Sequence, residues 1–219
     1  MAQDMEKIEC PFVRKEINLE LDKNKPMCNA YVVTPVINPG YEWVFEDPSV
    51  RAIEKLHGTN VSIVVEDGQI KSFWNRTERL PFFNKGKKFI TEGLLESHER
   101  GYCELEDGQW FGEIIGPKVN GNPYKLDKHL WIPFKTYAWN HLYYTSWGKY
   151  PKTYEALSSW FEKDIFSILY RKYHQEVKPP EGIVFTHPDG RMAKLRRDMF
   201  PWARTAGLHP HKEEPEATQ

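Results

Sequence analysis

Three stretches of this chain read as an apolar strand, a tight turn and a returning strand, and they commit it to antiparallel sheet. "NVSIVVEDGQIKSFWN" (60–75) turns at Asp67-Gly68, and "GYCELEDGQWFGEIIG" (101–116) repeats the pattern around Asp107-Gly108. Asp-Gly pairs tolerate the positive φ values that two-residue hairpin turns require. "GIVFTH" and "MAKLRR" are joined by a third turn at "HPDG". "NAYVVTPVI" and "HLWIPFKTYAW" are further strand candidates. Two helices are expected among them. One is "KKFITEGLLESHER"; the other is "TYEALSSWFEKDIFSILYRKYH", where Leu157, Trp160, Phe161, Ile165, Ile168 and Leu169 follow a helical stripe. The fold class is therefore α+β, dominated by antiparallel hairpins and lacking a βαβ alternation.

The rest of the sequence narrows the function by exclusion. A net charge of −1 gives no global field for coating nucleic acid, although a local basic groove stays open. "FFNKGKK" and "RMAKLRRDMF" are basic, while "HKEEPEATQ" is acidic and polar. No apolar run approaches the roughly 20 residues that span a bilayer. "MAQDMEKIEC" has no apolar core of the kind a secretory signal needs. Cys10, Cys28 and Cys103 are odd in number and widely spaced, which suits free thiols in the cytoplasm. No Gly-x-Gly-x-x-Gly or Walker-type loop is present, and no His or Cys pair stands at metal-ligand spacing near His57. The expected organisation is an N-terminal segment (1–40) packed on one domain (41–205), then a disordered tail (206–219).

Chemistry-bearing residues gather at strand ends and turns. Lys55 sits in "EKLHGTN", with Gly58 letting the backbone pass close to a ligand; Arg76 follows the first hairpin. Glu113 lies in "WFGEIIG", Glu181 opens "EGIVF", and "AKLR" carries Lys194 and Arg196. Alone, such a lysine is a solvated surface charge; in this company it suits covalent nucleotidyl transfer. That reaction needs an amine whose pKa is lowered by nearby cations, positive charge around a phosphate, and carboxylates for a divalent metal.

The ordered set "EKLHGTN", "NRTERL", "WFGEIIG", "EGIVF" and "AKLR" resembles motifs I, Ia, III, IV and V of the covalent nucleotidyltransferase superfamily. The form Lys-x-His-Gly-Thr-Asn is most similar to the ATP-dependent RNA ligases of the RNA ligase 2 type. The resemblance implies an antiparallel-sheet adenylation domain with flanking helices. It also implies a lysyl-AMP on Lys55 made from ATP with Mg²⁺ or Mn²⁺. By the same resemblance Glu54 contacts adenine, Asn60 serves in sealing, Arg76 lies near ribose and phosphate, and Glu113 contacts ribose. Glu181 is the metal-associated carboxylate, and Lys194 binds the α-phosphate and depresses the Lys55 pKa. Arg196 stands where the family has a second lysine, keeping the charge but with a planar fork. An aromatic residue after motif III stacks on the purine; Trp131 is favoured over Phe134, and the two fall on opposite faces of a regular strand.

The implied substrate is RNA with 5′-phosphate and 3′-hydroxyl ends. Residues 197–219 are too few for the OB-fold of DNA ligases and capping enzymes, or for a helical RNA-binding domain. An accessory RNA-binding protein is therefore a possible partner. A DNA nick ligase, a capping-type guanylyltransferase and a non-catalytic nucleotide- or RNA-binding module remain the alternatives.

Overall fold

Asp67 and Gly68 both take positive φ (54° and 66°), the geometry of a primed two-residue turn, and they close a hairpin between β4 (Thr59–Glu66) and β5 (Gln69–Asn75). The computed structural model describes residues 2–19, 28–75, 77–82, 85–149 and 151–205. Within them lie β1 (Phe12–Leu19), β2 (Cys28–Ile37), α1 (Trp43–Glu46), β3 (Arg51–Lys55), β6 (Glu78–Leu80), α2 (Lys88–Glu99) and β7 (Gly108–Ile115). They are followed by β8 (Leu130–Pro133), α3 (Tyr137–Asn140), α4 (Tyr154–Ser159), α5 (Ile168–Tyr173), β9 (Gly182–Thr186), β10 (Met192–Arg196) and α6 (Pro201–Thr205). Arg76 and the tail 206–219 lie outside the described residues.

The strands form antiparallel sheets ordered β1-β2, β10-β9-β3 and β6-β5-β4-β7-β8, as the hairpin signals predict. α2 buries Ile90 and Leu94 against Val61, Ile63 and Ile114 of the five-stranded sheet. Ala52, Ile183, Phe185 and Leu195, on one face of the three-stranded sheet, share a core with Phe12, Val33, Phe161 and Phe200. Ile53 and Val184, on the other face, pack with Ile115, Tyr124, Ile132 and Trp139. The site-bearing face of the small sheet is thus built against the larger one.

Two local expectations fail for identifiable reasons. Residues 101–107 form no strand before β7. Asp107 instead accepts from the backbone N–H groups of Asp67 and Gly68 at 2.9 and 3.0 Å, so the second Asp-Gly pair braces the first turn. β7 then pairs with the distant β4. The long helix over 153–174 is broken into α4, a π-helical turn (Trp160–Asp164) and α5. Ile165 is extended, and Ser167 restarts the helix by capping Tyr170 N–H at 3.0 Å. The apolar stripe survives, because Leu157, Phe161, Ile165 and Leu169 all remain buried.

Candidate active site

Strand alternation and register place the basic residues together. Lys55 stands opposite Gly182, which stands opposite Arg196; Ile53, Val184 and Lys194 form the next cross-strand row. Directly paired residues, and residues two apart, share a face, so Lys55, Lys194 and Arg196 project from the same side. Glycine at 182 is required by packing, since a Cβ there would meet Leu195 O at 2.3 Å.

Lys55 Nζ donates to Glu181 Oε2 at 2.8 Å and reaches Leu56 O at 3.4 Å. Glu113 lies on β7 of the other sheet, in register with Asn60. Its Oε1 accepts from Gly58 N–H at 3.2 Å. Burial pushes the Glu113 carboxyl up to about 7, against the opposing pull of Lys55. Lys194 is held below the usual lysine range, first by burial and then by the charges of Lys55 and Arg196. Among the described residues its ammonium has no ion-pair partner. Arg196, by contrast, lies 3.0 Å from Asp198, so its fork is partly engaged. Asn60 Nδ2 donates to the Met5 sulfur at 3.3 Å, and Glu9 O accepts from Lys194 N–H.

Two expected residues, Glu54 and Trp131, sit elsewhere than the site face. Glu54 is fully buried; alternation turns it away from Lys55, and its carboxylate accepts from Ser167 Oγ at 2.5 Å and Leu169 N–H at 2.9 Å. Trp131 is fully buried beneath α2, its indole N–H donating to Val61 O at 3.0 Å, and it offers no face for a purine. Phe134 follows edge strand β8, half-buried, with its ring 5.2 Å from Trp139. Of the two aromatic candidates only Phe134 lies beside the cluster that contains Val184.

Gly58 has a different role from the one its sequence position suggests. A Cβ there would meet Ile114 O at 2.2 Å and Glu113 Cγ at 2.7 Å, so the glycine admits β7, not a ligand, at close range. Sequence reasoning also passed over Tyr124, Asn120 and Ser167. Tyr124 and Asn120 lie in the loop "GPKVNGNPYKLDKH", where only loop-forming composition was legible. Tyr124 Oη accepts from His57 N–H at 2.9 Å, and Asn120 Nδ2 donates to Gly58 O at 2.8 Å.

A cavity of about 990 Å³ lies apart from this chemistry, among residues that include Leu142, Trp147, Trp160 and Phe166. None of Lys55, Glu113, Glu181 and Lys194 lines it. The described residues contain no group of three or more His, Cys, Asp or Glu suited to a metal.

The RNA ligase family matches residues 48–201, which hold every one of these polar groups except Met5 and Glu9. The chain belongs to the RNA ligase family. Among solved structures it is similar to the Naegleria gruberi RNA ligase with PPi, at 19% identity and a TM-score of 0.50, covering 76% of this chain and 54% of that one. A mutant of the same Naegleria enzyme with ATP and Mn matches at 17% identity and a TM-score of 0.49, covering 86% of this chain and 59% of that one. This RNA ligase family member thus spans little more than half the length of the solved structures it matches. No curated protein matches the chain. The likeness to the first structure is one of fold: a mixed α+β nucleotidyltransferase architecture. No helix among the described residues is long and apolar enough to cross a membrane.

Proposed function

We propose that residues 41–205 form the adenylyltransferase domain of an ATP-dependent RNA ligase, with residues 1–40 packed on it as an N-terminal segment. The observation that carries this reading is the Lys55–Glu181 contact on a sheet face shared with Lys194 and Arg196, facing Glu113. Lys55 is the nucleophile. Once deprotonated, its amine attacks the ATP α-phosphorus, an N–P bond forms, and the P–O bond to pyrophosphate breaks. Lys194 has no ion-pair partner among the described residues and is the cation best placed to take a phosphate oxygen. Arg196 assists once Asp198 releases part of its fork. Glu113 accepts from the ribose hydroxyls, and Phe134 with Val184 forms the apolar slot for the base.

Glu181 would hold a Mg²⁺ or Mn²⁺ ion together with the substrate phosphates; such an ion neutralises charge developing on them. The AMP passes from Lys55 to an RNA 5′-phosphate, and a 3′-hydroxyl then attacks that end, releases AMP and forms a phosphodiester. Asn60, beside Glu113, is assigned to this last step, and Arg76 to ribose and phosphate contacts. An accessory RNA-binding protein is the further partner assigned to this reading. Free Cys10 and Cys103 suit a reducing cytoplasm.

The test is end joining. A 5′-labelled RNA is offered as a nicked duplex, a single strand or a stem, with ATP and Mg²⁺, beside matching DNA. Phosphatase-resistant label on RNA supports the reading. Joining of DNA nicks alone points to a DNA ligase, and label transferred only from GTP points to capping chemistry.

A further inference from the structure

The residues on either side of Lys55 are tied to one and the same unit. On the N-terminal side, Glu54 accepts from Ser167 Oγ and Leu169 N–H, so β3 is fastened to the first turn of α5. Ser167 also caps Tyr170 N–H, and its own N–H donates to Lys178 O at 2.6 Å. Beyond α5, Lys178 Nζ donates to Pro123 O at 3.1 Å. His174 Nε2 lies 2.9 Å from Tyr124 O, and since a carbonyl only accepts, this nitrogen carries the proton. On the C-terminal side, Tyr124 Oη accepts from His57 N–H and Asn120 Nδ2 donates to Gly58 O. The path closes: Glu54, Ser167, α5, His174 and Lys178, the 120–124 loop, His57 and Gly58, with Lys55 between its two ends.

We propose that Glu54, Ser167, Tyr124 and Asn120 are positioning residues, which fix the Lys55 amine from both sides through α5. The proposal rests on Lys55 being the nucleophile. It assigns Glu54 to the scaffold: both of its oxygens are occupied, it is fully buried, and it faces away from Lys55. A shift of about 1 Å in a reacting group can cost around 100-fold in rate, so a buried hydrogen-bonded frame around a flexible lysine has a direct kinetic return. Tyr124 is itself buried; burial first, and then the charge of Glu54, hold its hydroxyl well above the usual tyrosine range. Asn120 is exposed and holds φ +48°, a conformation Asp also tolerates.

Three variants test this in the full chain: Asn120→Asp, Tyr124→Phe and Ser167→Ala. The readouts are amide hydrogen exchange at His57 and Gly58, and kcat and KM for lysine adenylylation with ATP. Each variant is expected to speed exchange at these amides about 10-fold or more and to lower kcat about 10–100-fold, with KM for ATP within about two-fold. Ser167→Ala is the decisive arm, because among the described residues Ser167 makes no hydrogen bond of its own to the loop after Lys55. Asn120→Asp, on the surface, retains the native Tm. Unchanged exchange at His57 in Ser167→Ala overturns the proposal. So does a raised KM with retained kcat, which would make this region a base contact. If the wild type takes no label from any nucleotide, the ligase reading fails, and the exchange data still decide whether the frame exists.

Discussion

Lys55 Nζ lies 2.8 Å from Glu181 Oε2, with the two side chains 23% and 18% exposed. The pair is sheltered yet reachable from solvent. Glu181→Gln keeps the shape and removes the anion. Lysine adenylylation is expected to fall about 100-fold, with a higher Mn²⁺ requirement. A rate within about three-fold of wild type would remove Glu181 from the reaction.

Glu54 and Glu113 each have a folded-state pKa pushed up by burial to about 7, from 4.5. A raised carboxylate favours the folded state below its unfolded pKa, and this contribution is lost as pH rises through the folded value. Stability should therefore decline between about pH 4.5 and 7 through these groups. Glu54→Gln can still meet Ser167 and Leu169, and it should flatten that slope by up to about 3 kcal/mol, measured by urea unfolding across the range. A slope identical to wild type would show that Glu54 titrates normally.

Gly58→Ala drives a methyl group into Ile114 O and Glu113 Cγ. The backbone cannot yield cheaply, so a loss of about 1–3 kcal/mol is expected, roughly 2–12 °C in Tm, together with displacement of Glu113. Thermal unfolding checks it, and an unchanged Tm would contradict the packing described.

Trp131→Ala should cost about 3–5 kcal/mol, because it empties a buried site between α2 and the sheet. Trp131→Phe retains most of that volume and should leave KM for ATP unchanged. Phe134→Ala should raise KM for ATP by about 10-fold. The reverse pattern would return the stacking role to Trp131.

The alternation of β9 and β10 is legible in the sequence because each strand is short and the two are joined by a turn, whereas β3, with Arg51, Glu54 and Lys55 among its five residues, carries no such signal. Once it is in register, Lys55, Lys194 and Arg196 must share a face. What stayed hidden depends on long-range partners. Asp107 reads as a hairpin residue, because nothing local reveals that it braces the turn at Gly68. The resemblance gives Glu54 an adenine contact, yet a strand turns consecutive side chains apart, and the Glu54 carboxylate faces away from Lys55. The break at Ser167 was masked by an intact apolar stripe and is explained only by the Glu54 carboxylate waiting at the start of α5. Tyr124 sits in a loop whose polar composition suggests exposure, although it is almost wholly buried.

The most direct measurement is retention of label on the protein. The chain is incubated with α-labelled ATP, GTP or NAD and Mg²⁺ or Mn²⁺, then run on a denaturing gel. Label from ATP alone, chased by pyrophosphate and absent in Lys55→Ala, is the expected result. No label from any nucleotide, or label that persists in Lys55→Ala, would contradict the account.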